Sequence, residues 1–339
     1  MKKLTKSEFL SKKRESLLDY VMYESLFDEG FEGFERVRKG LSKTEEQISK
    51  IHPYKLMAVT QQRAWYSLGF LVNYFNGGHD VDELKDLYPA VLQYWETYLK
   101  YFIDFLKWDT SSDNPVAALS LLNSNFVYAN QLISLGILLG HGGELSRVSK
   151  IIDLNNFKMD GMLERLLSPY SPRETPFPNA CTRHLPYFKT LKIFDAPAQD
   201  RLELMREYLE DWYYASRREP YYDSHERLGN FKGYWSWESA AITYLLDIDD
   251  RPYRQAKFYP VDLVDFARAT NAPRSIGKNV ENPELREKSG QPCPRTGIWE
   301  ALDIPVQRRE FSAGDIMQAE NAGYGMTVWR YIGDRLSPR

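Results

Sequence analysis

Two ionisable residues in the stretch RREPYYDSH, Arg218 and His225, offer the simplest route to chemistry in this chain. A guanidinium and an imidazole close together suit a scissile phosphate, where one steadies charge and the other moves a proton. The same stretch also holds Glu219 and Asp223, with Glu226 next to it, and their carboxylates repel a phosphate backbone. Glu210 and Asp211, just before Trp212-Tyr213-Tyr214, are paired acids beside aromatic rings, a combination that glycosidases use. Adjacent helix residues point in different directions, so this pair cannot flank one bond unaided. The five histidines, His52, His79, His141, His184 and His225, give no pair at metal-ligand spacing on one helix. Cys181 and Cys293 have no CxxC partner, which indicates neither a zinc site nor a disulfide framework and fits a reduced, cytoplasmic setting. GxGxxG, P-loop, GxSxG and HExxH patterns are all lacking. The expectation is a protein with no catalytic residues, no cofactor and no metal.

The elements that would carry these residues are mostly helical. Apolar spacing predicts a helix over 7–27, interrupted by Gly30 and Gly33, and a short one over 44–51. Pro53 to Phe75 reads as a long helix with proline in its first turn and Gly77-Gly78 at its end. Val81 to Trp108 follows, with Asp80 as its cap and a kink or break at Pro89. Further helices are expected at 115–139, 144–154, 161–167, 184–194, 197–216, 234–246 and 260–269. Ser168 to Asn179, SPYSPRETPFPN, holds four prolines and reads as an internal boundary. The stretch 271–291 is polar and loop-like. The residues beyond it, rich in Gly and Pro, predict two or three short strands such as 297–299 and 326–331. Trp299 and Trp329 are expected to pack this piece onto the helices. The fold class is therefore mainly α, a multi-helical hairpin array with a small C-terminal α+β or β module. The expected parts are an N-terminal helical domain over 1–167, a linker over 168–181, a second helical domain over 182–272 and an appended module over 273–339.

Bulk properties narrow the function. The chain has 339 residues and a net charge of −3. The basic amino terminus lacks an apolar core segment, so no secretory signal is expected, and the apolar run from Phe126 to Gly140 is too short to span a membrane. Between Asp195 and Phe266 there are 15 Asp and Glu against 9 Lys and Arg, while the rest of the chain has 32 acids against 35 bases. That concentration disfavours nucleic acid as a partner and suits a basic protein surface. The 23 Tyr and 8 Trp are enough to build both a helical core and a recognition surface.

One stretch is more specific. Gly233-Tyr234-Trp235-Ser236-Trp237-Glu238 leads into an apolar helix and then into Leu246-Asp247-Ile248-Asp249-Asp250. Tyr259-Pro260-Val261-Asp262-Leu263-Val264-Asp265-Phe266-Ala267-Arg268 follows. This resembles the C-terminal helical region of PoNi-type immunity proteins, which neutralise antibacterial toxins of polymorphic-toxin and type VI secretion systems. Cys293 to Trp299, CPRTGIW, with the later GDIM and GYGMTVW, is similar to the tail of related Rhs-associated immunity families. The resemblance implies a non-enzymatic cytoplasmic protein that occludes a cognate toxin effector, a nuclease in the first instance. Trp235, Trp237, Ile242, Tyr244, Leu245 and Leu246 would build a core helix pair, within which Glu238 hydrogen-bonds. Negative charge is unfavourable at a helix C-terminus, which draws attention to Asp247, Asp249 and Asp250. The expected toxin-facing residues are these three with Glu210, Asp211, Tyr213, Tyr214, Tyr221, Tyr222, Asp223 and Glu226. Two alternatives stand beside this reading. Arg218 and His225 fit the Arg-x(4–6)-His pattern of HEPN-type ribonucleases, and a helical adaptor could load an effector without inhibiting it.

Overall fold

Eleven α-helices occupy the first 276 residues, among those described, and a small antiparallel sheet occupies the remainder. The structure is a computed structural model that describes residues 2–40, 48, 50–109, 116–226, 231–275, 286–301, 307–319 and 327–333. The chain divides into two compact units, Met1–Ile276 and Gly277–Arg339.

In the first unit the helices are α1 (Lys6–Lys12), α2 (Tyr20–Gly40), α3 (Pro53–Asn76), α4 (Val81–Trp108), α5 (Phe126–Leu138) and α6 (Leu145–Asp153). They continue with α7 (Gly161–Leu167), α8 (Lys189–Asp195), α9 (Ala198–Ala215), α10 (Trp237–Leu245) and α11 (Val261–Ala269). The helix expected over 7–27 is in fact two. Thr5 and Glu8 form a capping box that starts α1, and the chain then breaks before a second start at Tyr20. α2 runs through Gly30 and Gly33, because packing against α3 outweighs the modest cost of glycine in a helix. The helix expected over 44–51 lies outside the described residues.

α3 and α4 form a tight hairpin. Gly78 at its turn has φ +90°, and a Cβ there would stand 2.1 Å from the carbonyl oxygen of Lys12. α4 passes Pro89 unbroken, because His141 takes up the helical carbonyl that the proline leaves free. α5 begins at Phe126, later than its apolar pattern suggested, and nearly every side chain in it is buried. One hydrophobic core runs from Phe9 to Ala272. Residues 168–181 sit within this unit. Tyr170 and Cys181 are buried, and the Tyr170 hydroxyl donates to the Pro273 carbonyl at 2.7 Å.

The second unit is a four-stranded antiparallel sheet of β1 (Arg286–Lys288), β2 (Gly297–Ala301), β3 (Arg308–Phe311) and β4 (Val328–Gly333), in the order β1-β4-β2-β3. Trp299 pairs with Tyr331, and Ala301 with Trp329. Both tryptophans are buried in this unit's own core with Cys293, Phe311, Met317 and Tyr331, and their indole N–H groups donate to Arg295 and Gln318 carbonyls. Within this unit the two tryptophans hold the sheet's own core together. Met326, expected to open the last strand, lies outside the described residues.

Candidate partner-binding site

The segment that leads into α10 is fixed by specific contacts along its length. Gly233 has φ +75°, and a Cβ on it would meet Asn76 Oδ1 at 2.7 Å, so both conformation and space call for glycine. The Tyr234 N–H donates to the buried carboxylate of Glu15 at 2.9 Å. The Trp235 indole donates to Asn76 Oδ1 at 2.8 Å, and the Ser236 N–H donates to the Phe258 carbonyl at 2.8 Å. Trp237 sets its ring edge-on to Phe75 at 5.4 Å. The motif thus ties the late helices to α3 and to the connection between α1 and α2.

Glu238 follows, fully buried. Its Oε1 accepts from the Tyr208 hydroxyl at 2.7 Å, the Trp212 indole at 2.7 Å and the Ser236 hydroxyl at 2.6 Å. Its Oε2 accepts from the Asn130 amide at 2.6 Å. Four donors from α5, α9 and the α10 entry replace the water this carboxylate lost, as a buried charge requires. The hydrogen bonding expected of Glu238 is present, but it joins three elements rather than one helix pair.

The Asp247–Asp250 cluster is divided in two by burial. Asp250 is buried and accepts from Arg254 at 3.1 Å, Arg268 at 2.7 Å and the Tyr259 hydroxyl at 3.1 Å. This ion network ties the turn to α11 and accounts for an acid at an unfavourable helix end. It also leaves Asp250 no surface to offer a partner. Asp247 has φ +52° and reaches Arg274 at 2.7 Å, and Asp249 pairs with Arg251, whose guanidinium holds its carboxyl down at about 2. Both remain exposed.

The sequence of this region is of a known kind. Residues 158–263 match the family model described as "PoNe immunity proteins (PoNi), C-terminal". That family is not known to be catalytic. The match runs from just before α7 into α11 and takes in Glu238 and most of the acid-rich stretch. Among solved structures the chain is similar to "The Crystal Structure of Protein PA2201 from Pseudomonas aeruginosa". The TM-score is 0.60 at 20% identity, over 77% of this chain and 92% of that one. That likeness concerns the fold. A search of curated proteins finds no match.

Within the matched region, α9 carries most of the expected toxin-facing residues. Met205, Tyr208, Leu209, Trp212 and Ala215 form its buried stripe. Asp200, Glu203, Glu207, Glu210, Asp211 and Tyr214 are exposed, at spacings that place them together on the outer face. Arg206 bridges Glu203 and Glu210, and Lys189 pairs with Asp211 at 2.7 Å. Tyr214 is 69% exposed, with the Arg217 guanidinium over its ring. Tyr213 is half-buried, stacks on Tyr222 at 4.7 Å and donates to Asp223 at 2.6 Å. Tyr221 turns inward, its hydroxyl 3.1 Å from that of Tyr187 and 2.9 Å from the Ser216 hydroxyl. Glu226 is exposed in a short 3-10 turn. The structure therefore gathers Glu210, Asp211 and Tyr214 on one helix face, joins Tyr213, Tyr222 and Asp223 beside it, and withdraws Tyr221 and Asp250.

His225, the candidate proton carrier, has its Nδ1 2.6 Å from the Tyr234 hydroxyl, while Arg218 is exposed and its carbonyl accepts from Arg183. The His225 contact ties the loop after α9 to Tyr234, and Arg218 contributes its backbone carbonyl to the Arg183 contact. Glu219 is the acid of the RREPYYDSH stretch that the fold removes from the surface. It is buried against Arg183, and burial raises its carboxyl despite that partner. Among the described residues no group of three or more His, Cys, Asp and Glu is arranged to hold a metal ion. No helix among them is long and apolar enough to cross a membrane.

Between α5, α9 and the α10 entry lies a cleft of about 310 Å³. Trp212 and Asn130, two of the donors to Glu238, form part of its wall, and Lys232 stands beside Tyr128 in its lining. Sequence reading missed this site because its residues come from separated segments. The one signal for it is a lysine directly before GYWSWE in an otherwise acidic region.

Proposed function

We propose that this protein binds and neutralises a cognate antibacterial toxin in the cytoplasm, by tight contact and without chemistry of its own. The match of residues 158–263 to a family of immunity proteins carries the reading. The toxin is a nuclease, or another effector with a basic working surface. A nuclease must present cations to its substrate, and an acidic protein face is a natural means of covering them. The outer face of α9 supplies that charge through Glu203, Glu207, Glu210 and Asp211, with Asp247, Asp249, Asp223 and Glu226 as further exposed or half-exposed acids. Acids on such a face steer encounter, while Tyr214, Tyr213 and Tyr222 supply ring surface for affinity.

The test is co-expression of this protein with its cognate toxin domain in a sensitive bacterium, followed by pull-down. Rescue of growth together with a stable complex is expected. Survival without a complex, or a complex without survival, overturns neutralisation by binding; the second outcome is what an effector-loading adaptor would give.

A further inference from the structure

The cleft beside Glu238 has the features of a small-molecule site. Its lining includes the rings of Tyr128, Tyr187, Trp212, Tyr221, Trp235 and Trp237. Their polar handles are largely engaged elsewhere. The Trp212 indole is held by Glu238 and the Trp235 indole by Asn76, while the Tyr187 and Tyr221 hydroxyls meet each other. Tyr128 is stacked on Trp65 at 5.6 Å. Rings fixed in this way form a preformed aromatic wall, the common character of small-ligand pockets. At about 310 Å³ the space exceeds what one side chain fills and suits a one- or two-ring molecule.

Among the described residues one charged side chain lines the cleft. Lys232 is half-buried, its ammonium 5.1 Å from the centre of the Tyr128 ring and 3.4 Å from the Tyr128 hydroxyl. Among the described residues it forms no ion pair. A cation left without a carboxylate beside an aromatic cavity favours an anionic ligand and disfavours a cationic one. Glu238 lies behind Asn130 and Trp212 and sets the orientation. Its buried negative charge repels an anion placed deep in the cleft. The ring of the ligand therefore enters among the tryptophans, while its charge stays outward at Lys232.

We propose that this cleft binds a small planar aromatic molecule bearing one negative charge, an aromatic carboxylate in type, with Lys232 as the charge-reading residue. This function is separate from the toxin-facing surface and does not depend on it.

The experiment is calorimetric titration of the full chain with 2-naphthoate, 2-naphthol and 2-naphthylmethylamine, which share a ring system and differ in charge. The naphthoate is expected to bind saturably at one site, the naphthol about fivefold or more weaker, and the amine not measurably. Lys232→Met is expected to weaken naphthoate about tenfold, the scale of one lost charge-assisted hydrogen bond, and to leave naphthol unchanged. Lys232→Arg is expected to retain naphthoate binding, and thermal melts of both variants confirm folding. Absence of saturable naphthoate binding overturns the proposal. Equal affinity for naphthoate and naphthol, or a Lys232→Met variant that binds naphthoate as well as the parent does, overturns it as well.

Discussion

The ring nitrogen Nε2 of His141 stands 2.8 Å from the carbonyl oxygen of Lys85, the acceptor that Pro89 leaves without its helical N–H. A carbonyl only accepts, so Nε2 carries the proton. The ring also stacks on Tyr88 at 5.0 Å. A proline inside a 28-residue helix is thus compensated by a side chain 56 residues beyond Lys85. His141→Phe keeps a ring for the stack and removes the donor, so it should cost about 1 kcal/mol. In a Pro89→Ala background the restored helical N–H can serve Lys85, and the same substitution should cost less. A double-mutant cycle followed by urea unfolding measures the coupling; additive effects would show that the His141 contact does not replace the missing bond.

The Glu238 carboxylate predicts an order among substitutions. Glu238→Leu leaves the Tyr208, Trp212 and Ser236 donors unpaired in the core and should destabilise by on the order of 3 kcal/mol or more. Glu238→Gln keeps one oxygen for those three donors. Its amide then faces Asn130, which can flip because the Ser134 hydroxyl beside it both donates and accepts. The Gln variant should therefore be clearly more stable than the Leu variant in urea unfolding, and the reverse order would contradict the hub.

Much of this architecture was legible in local sequence, and the exceptions share a cause. α3, α7 and α9 fall within about a residue of their periodic patterns, because proline starts, glycine stops and an amphipathic face act within each segment. The late start of α5, the unbroken α4 and the split of the first helix go with partners far along the chain: Asn155 and Asn156 for the carbonyls of Val116 and Leu119, His141 for that of Lys85, and the Asn76 carbonyl for the N–H groups of Arg14 and Glu15. The site divides in the same way. Exposure of Glu210, Asp211 and Tyr214 follows from helical spacing. Burial of Asp250 depends on Arg268, 18 residues on, and the cleft at Lys232 on α5, more than 90 residues back. Charge counting weighs acids alike, whereas folding sorts them into buried network members and exposed ones.

Acid should weaken the first unit through His79. Burial, reinforced by the nearby Arg14 guanidinium, lowers its imidazole to about 4. The ring lies 3.5 Å over Tyr74, and Nε2 meets the Tyr23 hydroxyl at 2.9 Å. The unfolded chain takes up this proton near pH 6.5 and the folded chain only near 4, so the unfolded state gains as pH falls between the two. Stability is whole above about pH 6.5 and declines by up to about 1.4 kcal/mol per pH unit through that window. Raised carboxyls such as Glu219 act in the opposite sense, so the measurement is the difference between the parent and His79→Phe. That difference should shrink on going from pH 7 to pH 4.5; a constant difference would mean that His79 does not titrate with unfolding.

The two kinds of acid in the Asp247–Asp250 turn should separate cleanly by experiment. Asp250→Asn removes the charge that faces Arg254, Arg268 and Tyr259 in a buried setting, and should cost about 3 kcal/mol or more in urea unfolding. Asp249→Ser loses an exposed pair with Arg251, keeps a hydroxyl that can accept from the Arg251 backbone N–H, and should stay within about 0.5 kcal/mol of the parent. On the proposed toxin-facing reading, the charge reversals Glu207→Lys and Glu210→Lys should slow association with the toxin and flatten its salt dependence, with little change in unfolding. Asp250→Asn, where it still folds, should leave the association rate as it was. If association instead fell with Asp250→Asn and ignored the α9 reversals, the acidic face of α9 would be excluded as the toxin-facing surface.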